Sequence, residues 1–299
     1  MMVHTIERGH PSNRQLGIIA MKVEKPKEKY DQLIADGYCV IEDVLKAEML
    51  TRLQTVTDEL LDAQTEDKRA AYRSSGSMIS VYMHSLFAEL VVYPQTLQAL
   101  DALGFLRPKW SSGYVISKPP QSPPLFWHQD WWGWNDPCSY TALPQQLFLM
   151  YYLVDTTPYN GCLRVIKGSH LNRHPLHDIL PDAHGEALQR VDDANHPAYQ
   201  HFPDEIDIPV KAGDLVIGDS RLLHASHGNQ SNERRTVITL WYHPFFALLP
   251  AEMQAHIGRL RQNFGWSDAD WARIAELAPV CESDVEPLEW NRNPGPELK

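Results

Sequence analysis

The stretch FWHQDWWGW, residues 126–134, contains the pattern on which the reading of fold and chemistry depends. At its centre, His128 and Asp130 stand two positions apart, and in a strand such side chains point to the same side. A nitrogen donor and a carboxylate so placed supply two of the three ligands of a 2-His-1-carboxylate set for non-haem Fe(II). Because a chain with 14 His produces this tripeptide by chance, the other residues must decide whether a site exists.

Composition narrows the class of protein. The chain has 299 residues, 43% of them hydrophobic and 22% charged, as expected of a soluble globular protein with one large core. A net charge of −11 argues against nucleic acid or an anionic membrane as the main partner, since both require a basic face. We therefore expect a small-molecule partner and a monomer or homodimer.

The cysteines and the N-terminal residues bear on the compartment. Cys39, Cys138, Cys162 and Cys281 form no C-x-x-C pair, which predicts reduced thiols and neither a zinc knuckle nor a disulfide framework. No apolar run is long enough to cross a membrane, and residues 1–20 lack the apolar core of a secretory signal. A cytoplasmic location is predicted.

Four segments describe the expected organisation. Residues 1–24 are a flexible leader, 25–289 a single domain, 171–206 a polar, lid-like insertion, and 290–299 a frayed polar tail. Apolar residues at helical spacing predict helices over 27–36, 46–64, 84–103, 254–263 and 268–277. Gly37 should end the first helix, and Ser267 should cap the last.

After Pro108 the pattern changes to short strands separated by turns. Strands are predicted at 113–117, 125–130, 146–154, 162–166, 206–210, 215–218, 222–224 and 235–243. The 146–154 run is almost unbroken in apolar residues, which is typical of a strand buried on both faces. About eight short strands with flanking helices predict a mainly β fold, a double-sheet jelly roll with a helical jacket.

The open end of a jelly roll can hold a metal between strands, so the third ligand should be a late His, and His224 is so placed. On the strand 235–243, Arg235, Val237, Thr239 and Trp241 share one face. A guanidinium there can bind the distal carboxylate of 2-oxoglutarate while the keto acid end chelates the iron. The alternatives are His227, which lies in the turn, and Arg234, which lies on the opposite face.

Several motifs together resemble the phytanoyl-CoA dioxygenase family of Fe(II)/2-oxoglutarate oxygenases, which have a double-stranded β-helix (cupin-like) fold. They are His128-Gln129-Asp130, the run from Asp155 through Asn160-Gly161-Cys162-Leu163 to Gly168-Ser169-His170, His224-x-Ser226, and Arg235 eleven positions after His224. The resemblance extends from about Tyr30 to Tyr242 and includes Gly37-Tyr38-x-Val40-Ile41 and Lys118-Pro119-Pro120.

The resemblance implies iron ligands at His128, Asp130 and His224, and 2-oxoglutarate contacts from Ser226 and Arg235. By position along the chain it also implies that Tyr114 and Met150 line the cosubstrate pocket, although Met150 departs from a Trp of the founding enzyme. Halogenating relatives have a small residue in place of the carboxylate, so Asp130 favours oxygen insertion or desaturation.

For the tryptophans beside the iron motif the sequence allows two roles, and for the other histidines it predicts none in metal binding. Trp131, Trp132 and Trp134 form either a substrate wall or rim packing. In the long insertion, His174, His177, His184 and His196 lack ligand spacing and are expected to be solvated. His170 is expected to stabilise a turn.

These observations predict an oxygenase that hydroxylates a small organic molecule, or oxidises it by desaturation or ring formation, in natural-product or specialised metabolism. Fe(II), 2-oxoglutarate and O2 are the implied cofactors and cosubstrates, and 2-oxoglutarate would be decarboxylated to succinate and CO2. The alternatives are a non-catalytic, cupin-like metal or ligand binding protein and a zinc hydrolase. The second is disfavoured because the paired Arg suits an α-keto acid better than an activated water.

Overall fold

The computed structural model describes residues 23–180, 184–259, 265–281 and 284–299. Most of the predicted leader, residues 1–22, lies outside the described residues. Val23, at the end of the predicted leader, is buried in the same core as Leu33.

Each of the five predicted segments contains helix in its described part, one of them in two pieces, and three further short α-helices in the described ranges were not predicted. The α-helices are α1 (Pro26–Asp36), α2 (Ala47–Asp62), α3 (Glu66–Ala71), α4 (Leu86–Val91), α5 (Pro94–Ala102), α6 (Leu176–Ile179), α7 (Glu186–Arg190), α8 (Ala251–Arg259) and α9 (Asp268–Arg273). The single helix predicted over 84–103 is wrong, because Pro94 cannot donate a backbone hydrogen bond and instead opens α5. Gly37 ends α1 at a φ of +90°, and Ser267 caps α9 in a capping box with Asp270, both as predicted.

The strands occupy the predicted middle of the chain. They are β1 (Tyr38–Ile41), β2 (Ile79–Ser80), β3 (Lys109–Lys118), β4 (Leu125–His128), β5 (Leu147–Tyr152), β6 (Leu163–Ile166), β7 (Glu205–Ile208), β8 (Leu215–Asp219), β9 (His224–Ser226) and β10 (Arg235–His243). They form two antiparallel sheets with the orders β1-β8-β5-β10-β3-β2 and β4-β9-β6-β7. The predicted jelly roll with flanking helices is confirmed, and since β7 and β8 lie in different sheets, the turn at Gly213 is a corner.

The central strand β5 shows how the interior is divided. Leu147, Leu149 and Tyr151 belong to the core that packs against the helices, whereas Phe148, Met150 and Tyr152 belong to the core between the sheets. Every residue of β5 is buried, which confirms the prediction of a strand covered on both faces. The inward-facing residues of β5 and β10 therefore line the space between the sheets.

The insertion packs onto the smaller sheet. Leu176, Leu188 and Tyr199 share a core with Phe126 and Trp127 of β4. It contains α6, α7 and a short 3-10 turn at Pro197–Tyr199, so its described part is ordered by apolar contacts.

The expectation of a frayed C-terminal tail is wrong. The Asn291 amide donates to the Trp132 carbonyl at 2.8 Å, and the Trp134 amide donates to the Asn291 carbonyl at 3.2 Å. Leu298 is buried in one core with Trp134. Local polarity did not reveal this packing because the anchors are long-range contacts. Among the described helices, none combines the length and the apolar character that a membrane span requires.

Candidate active site

Three predicted ligands converge at the open end of the roll. His128 is the last residue of β4 and pairs in register with His224, the first residue of β9. Their ring centroids are 4.1 Å apart. The two Asp130 carboxylate oxygens lie 3.6 Å from His128 Nε2 and 3.7 Å from His224 Nε2. Each imidazole Nε2 thus faces one oxygen of the same carboxylate, and the three side chains supply the donor types of a facial triad.

Asp130 reaches this point from outside the strand. β4 ends at His128, earlier than predicted, and the amides of Asp130 and Trp131 both donate to the Ser220 carbonyl at 2.8 Å. Strand alternation therefore does not place Asp130, although its carboxylate still faces His128.

Both imidazoles are oriented by their second nitrogen. His128 Nδ1 lies 3.0 Å from the Phe126 carbonyl oxygen, and His224 Nδ1 lies 2.9 Å from that of Leu222. Since a carbonyl only accepts, each Nδ1 carries the proton and each Nε2 keeps a lone pair directed at Asp130. Burial, reinforced by the nearby His224 and His184, holds the pKa of His128 well below its usual range. The ring is thus neutral, the form that binds a metal.

Trp241 fixes the carboxylate. Its indole Nε1 donates to Asp130 Oδ2 at 2.9 Å, and its ring meets Tyr114 edge-on, with centroids 5.9 Å apart. Sequence reasoning placed Trp241 on one face of β10 with Arg235 but missed this hydrogen bond, because Asp130 lies in the irregular segment that follows β4 of the other sheet.

Arg235 is a buried cation with no acidic partner in the described part of the chain. Only 3% of it is exposed, Nη2 donates to Ser226 Oγ at 3.3 Å, and Nε is buried without a partner. Burial lowers the pKa of Arg235, and burial followed by the charges of Arg235 and Arg164 lowers that of Lys118. An anionic ligand would complete this positive end of the cavity, as the carboxylate of 2-oxoglutarate does in the predicted arrangement.

Tyr114 and Met150 flank the same cavity on strands adjacent to β10. In the sheet register both lie opposite Thr239, whose Oγ1 is also buried without a partner among the described residues. The cavity has a volume of about 350 Å³. It is lined by all seven residues predicted for iron and cosubstrate, namely His128, Asp130, His224, Ser226, Arg235, Tyr114 and Met150.

The three tryptophans divide between the two predicted roles. Trp132 lines the cavity, but Trp131 and Trp134 are buried in a core with α8. Trp131 donates its indole N–H to Ser139 Oγ at 2.8 Å, away from the cavity. Beyond His128 the chain leaves the sheet, so sequence spacing no longer predicts which way a side chain points.

The alternatives from the sequence lie elsewhere. His227 Nε2 lies 2.6 Å from an Asp207 carboxylate oxygen. Arg234 forms ion pairs with Asp58 and Asp62 near the surface. His170 is buried, and its ring forms a hydrogen bond with the Ile34 carbonyl. Cys162 joins Asp207 and His227 in a second group of possible ligand types, but burial raises the pKa of its thiol to about 12. The set of His128, Asp130 and His224 is the better candidate for a metal centre, because the Nε2 atoms of its two histidines have no hydrogen-bond partner among the described residues.

The insertion and the C-terminal segment bring residues that the sequence did not point to. The His184 and His128 ring centroids are 5.0 Å apart, and His184, His128 and Asp130 form a group whose possible metal-ligand atoms all lie within 4.8 Å of one another. Its Nε2 already bonds the Gln129 carbonyl at 3.1 Å, so His224 remains the better third ligand. His177 is buried, so the prediction that it is solvated is wrong, whereas His174, His184 and His196 are partly exposed. Trp290 and Arg292 also line the cavity.

Comparison with known proteins agrees with this geometry. A family profile described as Phytanoyl-CoA dioxygenase (PhyH) matches residues 34–237. Ectoine dioxygenase of Sphingopyxis alaskensis is 24% identical over 217 residues, which cover 65% of this chain and 68% of that protein.

Solved structures share the fold. HygX from Streptomyces hygroscopicus, with nickel and 2-oxoglutarate bound, has a TM-score of 0.56 at 20% identity, covering 76% of this chain and 88% of that one. The epimerase SnoN, in complex with Fe3+, alpha ketoglutarate and nogalamycin RO, has a TM-score of 0.55 at 18% identity, covering 91% and 96%. The profile match spans more than half of the sequence. This chain therefore belongs to the phytanoyl-CoA dioxygenase (PhyH) family and is a 2-oxoglutarate-dependent dioxygenase.

Proposed function

We propose that this enzyme hydroxylates a small organic molecule, or oxidises it by desaturation or ring formation, while 2-oxoglutarate is converted to succinate and CO2. His128, Asp130 and His224 would hold the iron, and Arg235 with Ser226 would bind the distal carboxylate of 2-oxoglutarate. The observation that carries the proposal is the unpaired, buried Arg235 guanidinium in the same cavity as the three converging ligands.

Each residue has a physical task in this arrangement. The neutral imidazoles offer lone pairs, and the Trp241 indole holds Asp130 in a fixed orientation. Ser226 orients the guanidinium, and the row of Tyr114, Thr239 and Met150 gives the cosubstrate a largely apolar wall. Bound Fe(II) supplies the redox chemistry with O2.

Specialised metabolism is the favoured setting. SnoN and the carbocyclase SnoK, both from nogalamycin biosynthesis, share the fold of this chain. Trp132 and Trp290 stack at 5.4 Å between ring centroids beside the cavity, which suits a substrate with a flat or apolar body.

Anaerobic addition of Fe(II) and 2-oxoglutarate tests the cofactor site. We expect a visible charge-transfer band in the wild-type protein and its loss in His128→Ala, whereas His227→Ala should retain it. A folded wild-type protein without the band, or a His128→Ala protein with it, would refute the proposed ligand set.

Succinate release separates an enzyme from a cupin-like binding protein. We expect slow, O2-dependent succinate formation from 2-oxoglutarate that a correct substrate accelerates. Protein that binds Fe(II) and 2-oxoglutarate but forms no succinate with any metabolite tested would favour the binding protein.

A further inference from the structure

A second unpaired guanidinium borders the cavity at Arg292. Arg292 as a whole is partly exposed, but its Nε and Nη1 are buried without a hydrogen-bond partner among the described residues, and it forms no ion pair with the described acidic residues. Burial lowers the pKa of Arg292, opposed by the nearby Asp130 and Tyr114. Buried N–H donors of a cation that have no acceptor are unfavourable unless an anion occupies the site at some stage of the reaction cycle.

Arg292 is held in place by its neighbours. The Gln129 side-chain amide donates to the Arg292 carbonyl at 2.8 Å, which ties the C-terminal segment to the centre of the His128-Gln129-Asp130 motif. The Arg292 guanidinium lies over the Trp290 ring, 4.9 Å from its centroid. Trp290 in turn stacks on Trp132, so backbone and ring contacts both fix the position of the cation.

The cosubstrate does not account for this cation. Arg235 is beside Ser226, at the junction of β9 and β10, whereas Arg292 is beside Tyr114, Asp130 and the insertion residue His184. A single small diacid with its keto acid end on the metal has one distal carboxylate, and Arg235 is the proposed partner for it. Asp130 is also unable to neutralise Arg292 fully, because it is a proposed metal ligand.

We propose that Arg292 binds a carboxylate of the primary substrate and that Trp290 and Trp132 contact the flat or apolar body of that substrate. This inference rests on the proposed function. The substrate is accordingly a small carboxylic acid. The carboxylate fixes the distance between the Arg292 end of the molecule and the metal centre. The C-terminal segment thus determines which carbon is presented for oxidation.

Calorimetry with phenylacetate and its neutral analogue phenylacetamide tests this site. The protein is loaded with Ni(II) and saturating 2-oxoglutarate, so that Arg235 is occupied and no turnover takes place. We expect phenylacetate to bind with a Kd of about 1 mM or tighter, and phenylacetamide roughly 10-fold more weakly. Arg292→Gln should lose roughly 10-fold in affinity for the acid and leave the amide unchanged.

Two variants complete the design. Arg107→Gln removes an exposed positive charge outside the cavity and should bind phenylacetate like the wild-type protein. Arg292→Lys keeps the charge, so it should recover part of the affinity; this variant also covers the case in which Arg292→Gln does not fold.

Several results would overturn the proposal. They are no phenylacetate binding at about 50 mM, an equal loss in Arg107→Gln, or a loss of 2-oxoglutarate binding in Arg292→Gln as large as that in Arg235→Gln. The last result would make Arg292 a cosubstrate residue. Failure of the wild-type protein to bind 2-oxoglutarate refutes the proposed function instead, and the phenylacetate titration still reports on Arg292.

Discussion

Replacing Arg235 by Met should stabilise the ligand-free enzyme while abolishing cosubstrate binding. Arg235 is 3% exposed, its Nε has no partner among the described residues, and it lies close enough to Lys118 for the two charges to repel. Its one side-chain hydrogen bond in the structure is to Ser226, at 3.3 Å. Met fills a similar volume without the desolvated charge. Because the desolvation penalty of a buried ion is several kcal/mol and a hydrogen bond to a charged donor recovers about 1.5–3 kcal/mol, we expect a net gain of about 1–2 kcal/mol.

The cosubstrate should respond in the opposite direction. Losing one partner of a buried, hydrogen-bonded charge pair costs about 2–5 kcal/mol, which corresponds to a Kd for 2-oxoglutarate that is about 30-fold to several thousand-fold weaker. In the wild-type protein, 2-oxoglutarate at about 100 times its Kd should add about 2.7 kcal/mol to the free energy of unfolding. In Arg235→Met the same concentration of 2-oxoglutarate should add less than about 0.9 kcal/mol.

Urea unfolding with and without Ni(II) and 2-oxoglutarate measures both quantities, and calorimetry gives the Kd directly. Arg234→Met is the matched control, because this neighbouring residue pairs with Asp58 and Asp62 near the surface and should change neither quantity by more than about 0.5 kcal/mol. An Arg235→Met protein that is less stable than wild type and binds 2-oxoglutarate normally would show that the guanidinium is structural.

Three further perturbations test other parts of the structure. Trp241→Phe removes the indole donor to Asp130, and metal titration should show affinity reduced about 10- to 100-fold, with the fold intact by circular dichroism. His243 is fully buried, and burial lowers its pKa to about 4. The unfolded chain therefore takes up a proton near pH 6.5 and the folded chain only near pH 4, so the free energy of unfolding in urea should fall by up to about 3 kcal/mol between these values, and less in His243→Phe. Gly37→Ala places a Cβ 2.6 Å from Leu222 Cδ1 at a φ of +90°, and a loss of about 1–3 kcal/mol is expected in thermal unfolding; an unchanged Tm would contradict the described turn.

Strand periodicity predicted the parts of the site that lie within regular sheet. Alternation along β10 places Arg235 and Trp241 on the inner face, and the cavity lies on that face. The same regularity predicted β5 as a strand buried on both faces. Within such elements the side-chain direction depends on a two-residue repeat alone, so one sequence is enough to predict it.

Prediction failed where the chain leaves a regular element. After His128 the backbone turns toward the Ser220 carbonyl, and the orientation of Trp131 then depends on packing against α8. The break at Pro94 was readable from the sequence, because proline cannot continue a helix, and the apolar spacing on either side of it was given too much weight.

The residues that could be predicted are those proposed to bind iron and 2-oxoglutarate, and the residues that could not are those proposed to contact the substrate. The residues proposed to hold iron and 2-oxoglutarate lie within the family match at residues 34–237. Enzymes that bind the same metal and the same cosubstrate need the same arrangement of side chains, so these residues fall within the shared family pattern. Trp290 and Arg292 lie beyond it, in a polar segment positioned by the Trp132 carbonyl and the Gln129 amide. Such long-range contacts leave no periodic signal. A wall that must fit a substrate particular to this enzyme can come from any segment that reaches the cavity, so its location is visible only in the folded chain.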